Sequence, residues 1–210
     1  MANDNRVHDL ETSLQDSLGE QLLHGMIVSN LAVMLARELG LPEEECHELS
    51  IAGMVHDIGK LRLRSYVYDE KEATLDIDEL RYVRMHSSLG YVILKEQGFS
   101  EYVQTAVLYH HENVDGSGYP NNLKGDEIPL NAKILRVCDA FGALIANRPV
   151  RGAFDIETAL TIMIDEVKYF DMKVFLAFQK LTQSADLKAK LESIYLHTQQ
   201  VEVNEAEIGE

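Results

Sequence analysis

The stretch SLGEQLLHGMIVSNLAVMLAREL, residues 17–39, decides the fold class. Its apolar residues Leu22, Leu23, Met26, Ile27, Leu31, Met34 and Leu35 recur every three or four positions, the repeat of a helix with one face turned to a core. Gly40 closes the pattern, and Pro42 followed by Glu43, Glu44 and Glu45 opens another. That second helix is expected to reach about Asp57, with Gly59 as its stop.

Further along, the same period persists. Tyr66 to Leu75 reads as polar and irregular. Asp76 or Asp78 then caps a helix toward His86, and Ser87 to Gln97 continues it or forms a separate one. Ser100 caps Glu101 to His111, and Leu130 to Ala146 is helical until Asn147-Arg-Pro breaks it. Asp155 caps Ile156 to Lys168, and helices near 171–182 and 185–197 follow. No strand pair or internal repeat interrupts this, so the chain is expected to be an all-α helical bundle. Between the helices, Glu112 to Pro129 forms a long loop holding three glycines and two of the four prolines. Long ordered loops inside small domains usually serve function.

The 210 residues suit one domain, expected over 19–182, with an N-terminal extension at 1–18 and a C-terminal helix and acidic tail at 183–210. A chain of this length buries roughly 70% of its unfolded surface, enough for a sizeable core. No apolar run approaches the ~20 residues that span a bilayer, and Met1-Ala-Asn-Asp-Asn-Arg lacks a secretory pattern, so a cytoplasmic location is expected. Cys46 and Cys138 stand far apart and read as buried thiols, not as a disulfide or zinc pair. A net charge of −16 repels nucleic acid polymers and anionic membranes. Such a chain binds a small phosphate ester only by concentrating positive charge locally, and metal ions do this most compactly.

Five of the eight histidines fall where a metal site would want them. Glu20 and His24 lie four apart on one helix face; His56-Asp57 ends the next helix; His86 sits near a helix end; His110-His111 opens the long loop. Asp139 lies mid-helix in apolar surroundings, where an unpaired carboxylate is costly. Singly, each has a bland reading: a core or surface histidine, a helix-face hydrogen bond. Their joint order over five helices is far more specific.

His110-His-Glu-Asn-Val-Asp-Gly-Ser-Gly-Tyr-Pro120 matches the signature HHExxDGxGYP without a mismatch, and His56-Asp-Ile-Gly-Lys60, Arg148-Pro-Val-Arg151 and Phe170-Asp171 add to it. Together they resemble the HD-GYP family of HD metallohydrolases, over roughly Gly19 to Lys180. The resemblance implies two metals held by His24, His56, Asp57, His86, His110, His111 and Asp139, with Asp57 bridging, and a third where Glu20 joins. Iron or manganese is implied, and mixed imidazole and carboxylate ligands suit either. It also implies hydrolysis of cyclic di-GMP, or a related cyclic dinucleotide, to pGpG and in some members GMP. In that chemistry a metal-bridging hydroxide attacks phosphorus and the metals neutralise the charge that develops.

By the same resemblance Asp57 and Lys60 are catalytic, Lys60 reaches a phosphate oxygen, Arg148 and Arg151 grip the nucleotide, and Tyr119 shapes the pocket. Glu112 and Asp115 are expected to hold the loop or orient a ligand histidine. His8, His47 and His197 have no place in the pattern and read as surface residues.

Three departures stand out: Gly142 where a second aspartate is common, Val150 for the usual tyrosine, and Arg62-Leu-Arg64 after the HDIGK stretch. These leave room for a phosphohydrolase acting on another nucleotide, or for a non-catalytic module that binds cyclic dinucleotides. No sensor domain is legible, so regulation is expected from a separate sensor or diguanylate cyclase partner, from metal supply or from expression. A homo-oligomer is compatible with everything above.

Overall fold

The computed structural model describes residues 18–67, 83–146 and 152–194. Every regular element among them is helical: α1 (Leu18–Glu38), α2 (Glu43–Val55), α3 (Ile58–Val67), α4 (His86–Glu96), α5 (Glu101–Tyr109), α6 (Leu130–Ile145), α7 (Ile156–Asp165) and α8 (Met172–Thr182). A last helix, α9, occupies 185–194. Single 3₁₀ turns lie at Gly125–Glu127 and Val167–Tyr169. Among the described residues no helix is long and apolar enough to cross a membrane.

Helix α1 runs through the centre and packs on α2, α6 and α8, while α4 lies between α3 and α5. Ile27, Val28, Leu31 and Leu35 of α1 are fully buried, as its period requires, and meet Leu135 and Phe141 of α6 and Phe178 of α8. Each such side chain contributes roughly 1.5–3 kcal/mol by leaving water. Phe141 and Phe178 meet edge to face, 5.0 Å between ring centroids. Leu22, counted on the apolar face by its spacing, is half exposed instead, because it lies near the start of α1 where the packing thins.

The helix ends follow their local chemistry. Gly40 adopts φ +76° after α1, and Leu41 N–H bonds back to Ala36 O. Ser100 accepts from Val103 N–H at the start of α5, and Asp155 accepts from Thr158 N–H at the start of α7. Asp171 caps α8 by accepting from Lys173 and Val174 N–H, and also takes the buried Lys133 ammonium at 2.9 Å.

Two boundaries differ from expectation. Gly59 does not stop a helix. It lies within the first turn of α3, which continues through Tyr66 and Val67, residues expected to be irregular. The reason is packing: a Cβ on Gly59 would lie 2.0 Å from His86 O and 2.8 Å from Gly90 N, so glycine is there to let α3 and α4 cross at backbone contact. Helix α7 is also shorter than expected, because its last residues wind into the Val167–Tyr169 turn. The caps proposed at Asp76 and Asp78, and the break at Asn147-Arg-Pro, lie outside the described residues.

Candidate metal centre

Seven side chains converge where α1, α2, α4, α5 and α6 meet. His86, His110 and His111 form one group, His24, His56 and Asp57 a second, and His56, His110 and Asp139 a third that links them, the ligand atoms of each within 4.8 Å of one another. The two oxygens of Asp57 face different groups: Oδ1 lies 3.4 Å from His86 Nε2, and Oδ2 lies 3.3 Å from His56 Nε2. Asp139 Oδ1 lies 3.0 Å from His24 Nε2 and 3.5 Å from His56 Nε2. Glu20 lies one turn before His24 and is not among the residues whose ligand atoms converge.

The helices preset the imidazoles. His56 Nδ1 donates to Gly53 O at 2.8 Å, His86 Nδ1 to Val83 O at 2.6 Å, and His110 Nδ1 to Val107 O at 2.6 Å. Each ring therefore spends one nitrogen on the carbonyl three residues back and turns Nε2 into the site. This is how metal-binding histidines are oriented and their tautomer fixed.

Burial pushes His86 down to about 4 and His110 to about 3, and holds His111 well below the ordinary imidazole range. His86 and His110 are thus neutral with Nδ1 protonated, and their bare Nε2 lone pairs face each other at 3.3 Å. That contact is repulsive unless a cation lies between them. Burial alone would depress His56 as well, but the carboxylates of Asp57 and Asp139 outweigh it and raise it to about 10. Burial likewise opposes ionisation of Asp57 and Asp139. Lys60 and His56 overcome it for Asp57, and His24 and His56 for Asp139, holding both carboxyls well below their usual range.

Asp57 Oδ1 and His56 Nε2 are buried without a hydrogen-bond partner among the described residues. Orphaned buried polar atoms are costly and point to an unseen partner. Two ionised carboxylates, the neutral imidazoles of His86, His110 and His111, and orphaned donor atoms fit divalent first-row metals, whose charge would take the place of the proton on His56. These residues are consistent with a metal site.

Around this cluster the structure places most of the other expected residues. Lys60 Nζ lies 2.7 Å from Asp57 Oδ2. Tyr119 stacks on His111, 4.7 Å between centroids at 25°. Glu112 is buried, accepting from Asn121 N–H at 2.6 Å and Leu123 N–H at 3.0 Å, which ties the loop to the end of α5. Asp115 closes the loop tip on Ser117 N–H and Oγ. A side chain at Gly142 would crowd its neighbours: a Cβ would meet Val28 at 3.2 Å and His24 Cε1 at 3.3 Å, so both would have to give by a few tenths of an ångström. Arg148, Val150 and Arg151 lie outside the described residues.

Two arginines escaped the sequence reading. Arg84 holds its guanidinium 5.5 Å over the Tyr119 ring. Arg136 donates from Nε to Asn113 Oδ1 at 3.0 Å and lies 5.0 Å over Phe170, fastening the loop to α6. Their only sequence signal was position: Arg84 two residues before His86, and Arg136 three before Asp139.

The HD-domain family model matches residues 5–174. The chain is 37% identical over 138 residues to a cyclic di-GMP phosphodiesterase response regulator of Xanthomonas campestris, covering 65% of this chain and 36% of that protein. It is 35% identical over 159 residues to a cyclic di-GMP phosphodiesterase of Pseudomonas aeruginosa, covering 75% and 38%. A 3'3'-cGAMP-specific phosphodiesterase of Vibrio cholerae is 35% identical over 158 residues, covering 75% and 34%. The chain thus spans a little over a third of the length of these relatives.

Among solved structures, a cyclic GMP-AMP phosphodiesterase of V. cholerae superposes with a TM-score of 0.69 at 20% identity, over 93% of this chain and 52% of that one. The HD domain of a Listeria monocytogenes phosphodiesterase superposes with a TM-score of 0.59 at 18% identity, over 89% and 98%. At such identities the likeness speaks for the fold.

Proposed function

This chain belongs to the HD-domain family, in its HD-GYP branch, and from that premise we propose that it is a metal-dependent cyclic-dinucleotide phosphodiesterase. Its substrate is cyclic di-GMP, or the closely related cyclic GMP-AMP, opened to the linear dinucleotide. The observation that carries the reading is the pair of donor groups joined through Asp57, beneath a loop with the full His110–Pro120 motif.

In this reading His24, His56, Asp57, His86, His110, His111 and Asp139 hold two metals, and Glu20 completes a site for a third. Iron or manganese is proposed. When bound, such ions supply a nucleophile at neutral pH and offset the negative charge that develops on phosphorus. The remaining work falls to the chain. Asp57 offers one oxygen to each donor group and so fixes their separation. Lys60 stands at the edge of the cluster, where its ammonium can meet a phosphate oxygen.

Tyr119, held flat on His111 by the Glu112 clamp, forms a wall of the pocket and keeps water from one side of the donor cluster. Arg148 and Arg151 are assigned to the nucleotide. The substrate is a small molecule, which the chain binds without a nucleic acid polymer or a membrane.

The test is a substrate panel on anaerobically purified, metal-analysed protein: cyclic di-GMP, cyclic GMP-AMP, linear pGpG and a nucleoside triphosphate. A cyclic dinucleotide is expected to be cleaved with kcat/KM at least about tenfold above the triphosphate, a difference of ~1.4 kcal/mol in transition-state binding. Preference for the triphosphate would assign the chain to mononucleotide chemistry instead.

A further inference from the structure

A cyclic dinucleotide carries two phosphodiesters, and the donor cluster handles only the one being cleaved. The other needs its own cation, in a chain whose net charge is −16. The described cations near the mouth are few, and most are engaged. Lys60 is bound to Asp57 at 2.7 Å, and Arg136 is fastened between Asn113 and Phe170. Arg84 differs. It is exposed and forms no ion pair with a described carboxylate, yet its guanidinium is held 5.5 Å over the Tyr119 ring.

We propose that Arg84 is a specificity-determining residue that binds the second, uncleaved phosphodiester of the substrate. The inference rests on the cyclic-dinucleotide reading above and deepens it. Tyr119 stacks on His111, and Arg84 lies over Tyr119, so a single ring connects the guanidinium to the His86, His110 and His111 group. The aromatic face restricts the guanidinium plane while leaving its N–H groups available, which lowers the entropy lost when it closes on a phosphate. Val83, directly before it, is buried and gives its carbonyl to His86 Nδ1, so the backbone that carries Arg84 is fixed to the site itself. A guanidinium presents two parallel N–H donors to the two free oxygens of a diester, which an ammonium cannot do.

The test compares the wild type, R84A and R84K on two metal-loaded reactions. One uses cyclic di-GMP, with two diesters; the other uses bis(p-nitrophenyl) phosphate, with a single one. For R84A the ratio of kcat/KM between the two substrates should fall about 10- to 100-fold, mostly through KM, the size of one lost charge-assisted phosphate contact. R84K, which keeps the charge and loses the fork, should fall between. Metal content should stay at the wild-type value in both variants, which separates a contact to substrate from damage to the donor cluster.

An R84A that loses both reactions in equal proportion, or that keeps its KM for cyclic di-GMP, overturns the inference while leaving the parent reading intact. A wild type that neither binds nor cleaves any cyclic dinucleotide refutes the parent reading, and this inference with it.

Discussion

Gly59→Ala probes the contact on which the donor cluster depends. A Cβ at this position would stand 2.0 Å from His86 O and 2.8 Å from Gly90 N, where real contacts do not fall under 3.0 Å. The first turns of α3 and α4 must therefore part by about 1 Å. Asp57 lies just before α3 and His86 begins α4, so the 3.4 Å between Asp57 Oδ1 and His86 Nε2 opens by a similar amount. Metal ligands tolerate about ±0.2 Å, so metal affinity should fall at least ~100-fold, the upper end for disturbed supporting contacts.

Stability changes less. Overpacking against backbone costs about 3 kcal/mol, offset by the ~1 kcal/mol that alanine gains over glycine in a helix. A net loss near 2 kcal/mol lowers Tm by about 4–8 °C in a domain of this size. Metal titration calorimetry and a melting curve read both quantities. Gly152→Ala, where nothing lies within 4 Å of an added Cβ, is the control and should change neither. A Gly59→Ala protein that binds metal like the wild type and melts at the same temperature would refute the argument that backbone contact between α3 and α4 sets the site.

Glu112→Ala removes two charge-assisted bonds to the loop backbone and strands two N–H groups, at a cost of about 2–4 kcal/mol. Hydrogen exchange should speed up at the Asn121 and Leu123 amides, and continued protection there would contradict the clamp. Gly142→Ala places a methyl against Val28 and His24, so stability should stay within about 1 kcal/mol while metal uptake by the His24, His56 and Asp57 group weakens. Unchanged uptake would mean that His24 accommodates the methyl without moving. Asp171→Asn strips the buried Lys133 of its nearer carboxylate, leaving the exposed Asp126 at 3.7 Å, and should cost about 2 kcal/mol at pH 7 by urea denaturation. Burial opposes ionisation of Asp171, but the Lys133 bond and the helix-start amides outweigh it and depress its pKa. Its contribution is thus complete above the unfolded carboxyl value near 4 and vanishes as pH falls through the lower folded value, so wild type and variant should converge in acid. A gap that does not narrow as the pH falls below the unfolded carboxyl value would contradict the assignment.

Most of the donor cluster was legible because it follows from order along the chain. Helical period placed His24 on α1 and Asp139 on α6, and an intact eleven-residue motif supplied His110 and His111. The boundary at Gly59 was misread for a physical reason. Glycine after a helix usually marks its left-handed end, and only the third dimension shows a second helix pressed against the missing Cβ. The same limit hid Arg84, since nothing along the chain joins it to Tyr119, far downstream. The pinning of three imidazoles by carbonyls three residues back was likewise invisible, because it depends on ring orientation at the helix ends. Glu20 lies one turn before His24 on α1, as its spacing required, outside the three groups whose ligand atoms converge.

The most direct test of the central claim is product analysis of metal-loaded wild-type protein and Asp57→Ala, each incubated anaerobically with cyclic di-GMP and with cyclic GMP-AMP. The wild type should convert at least one to its linear dinucleotide, and a chelator should abolish this. Asp57→Ala, which removes the carboxylate shared by both donor groups, should lose metal and turnover together. A wild type that holds iron or manganese stoichiometrically and leaves both cyclic dinucleotides intact would contradict the account.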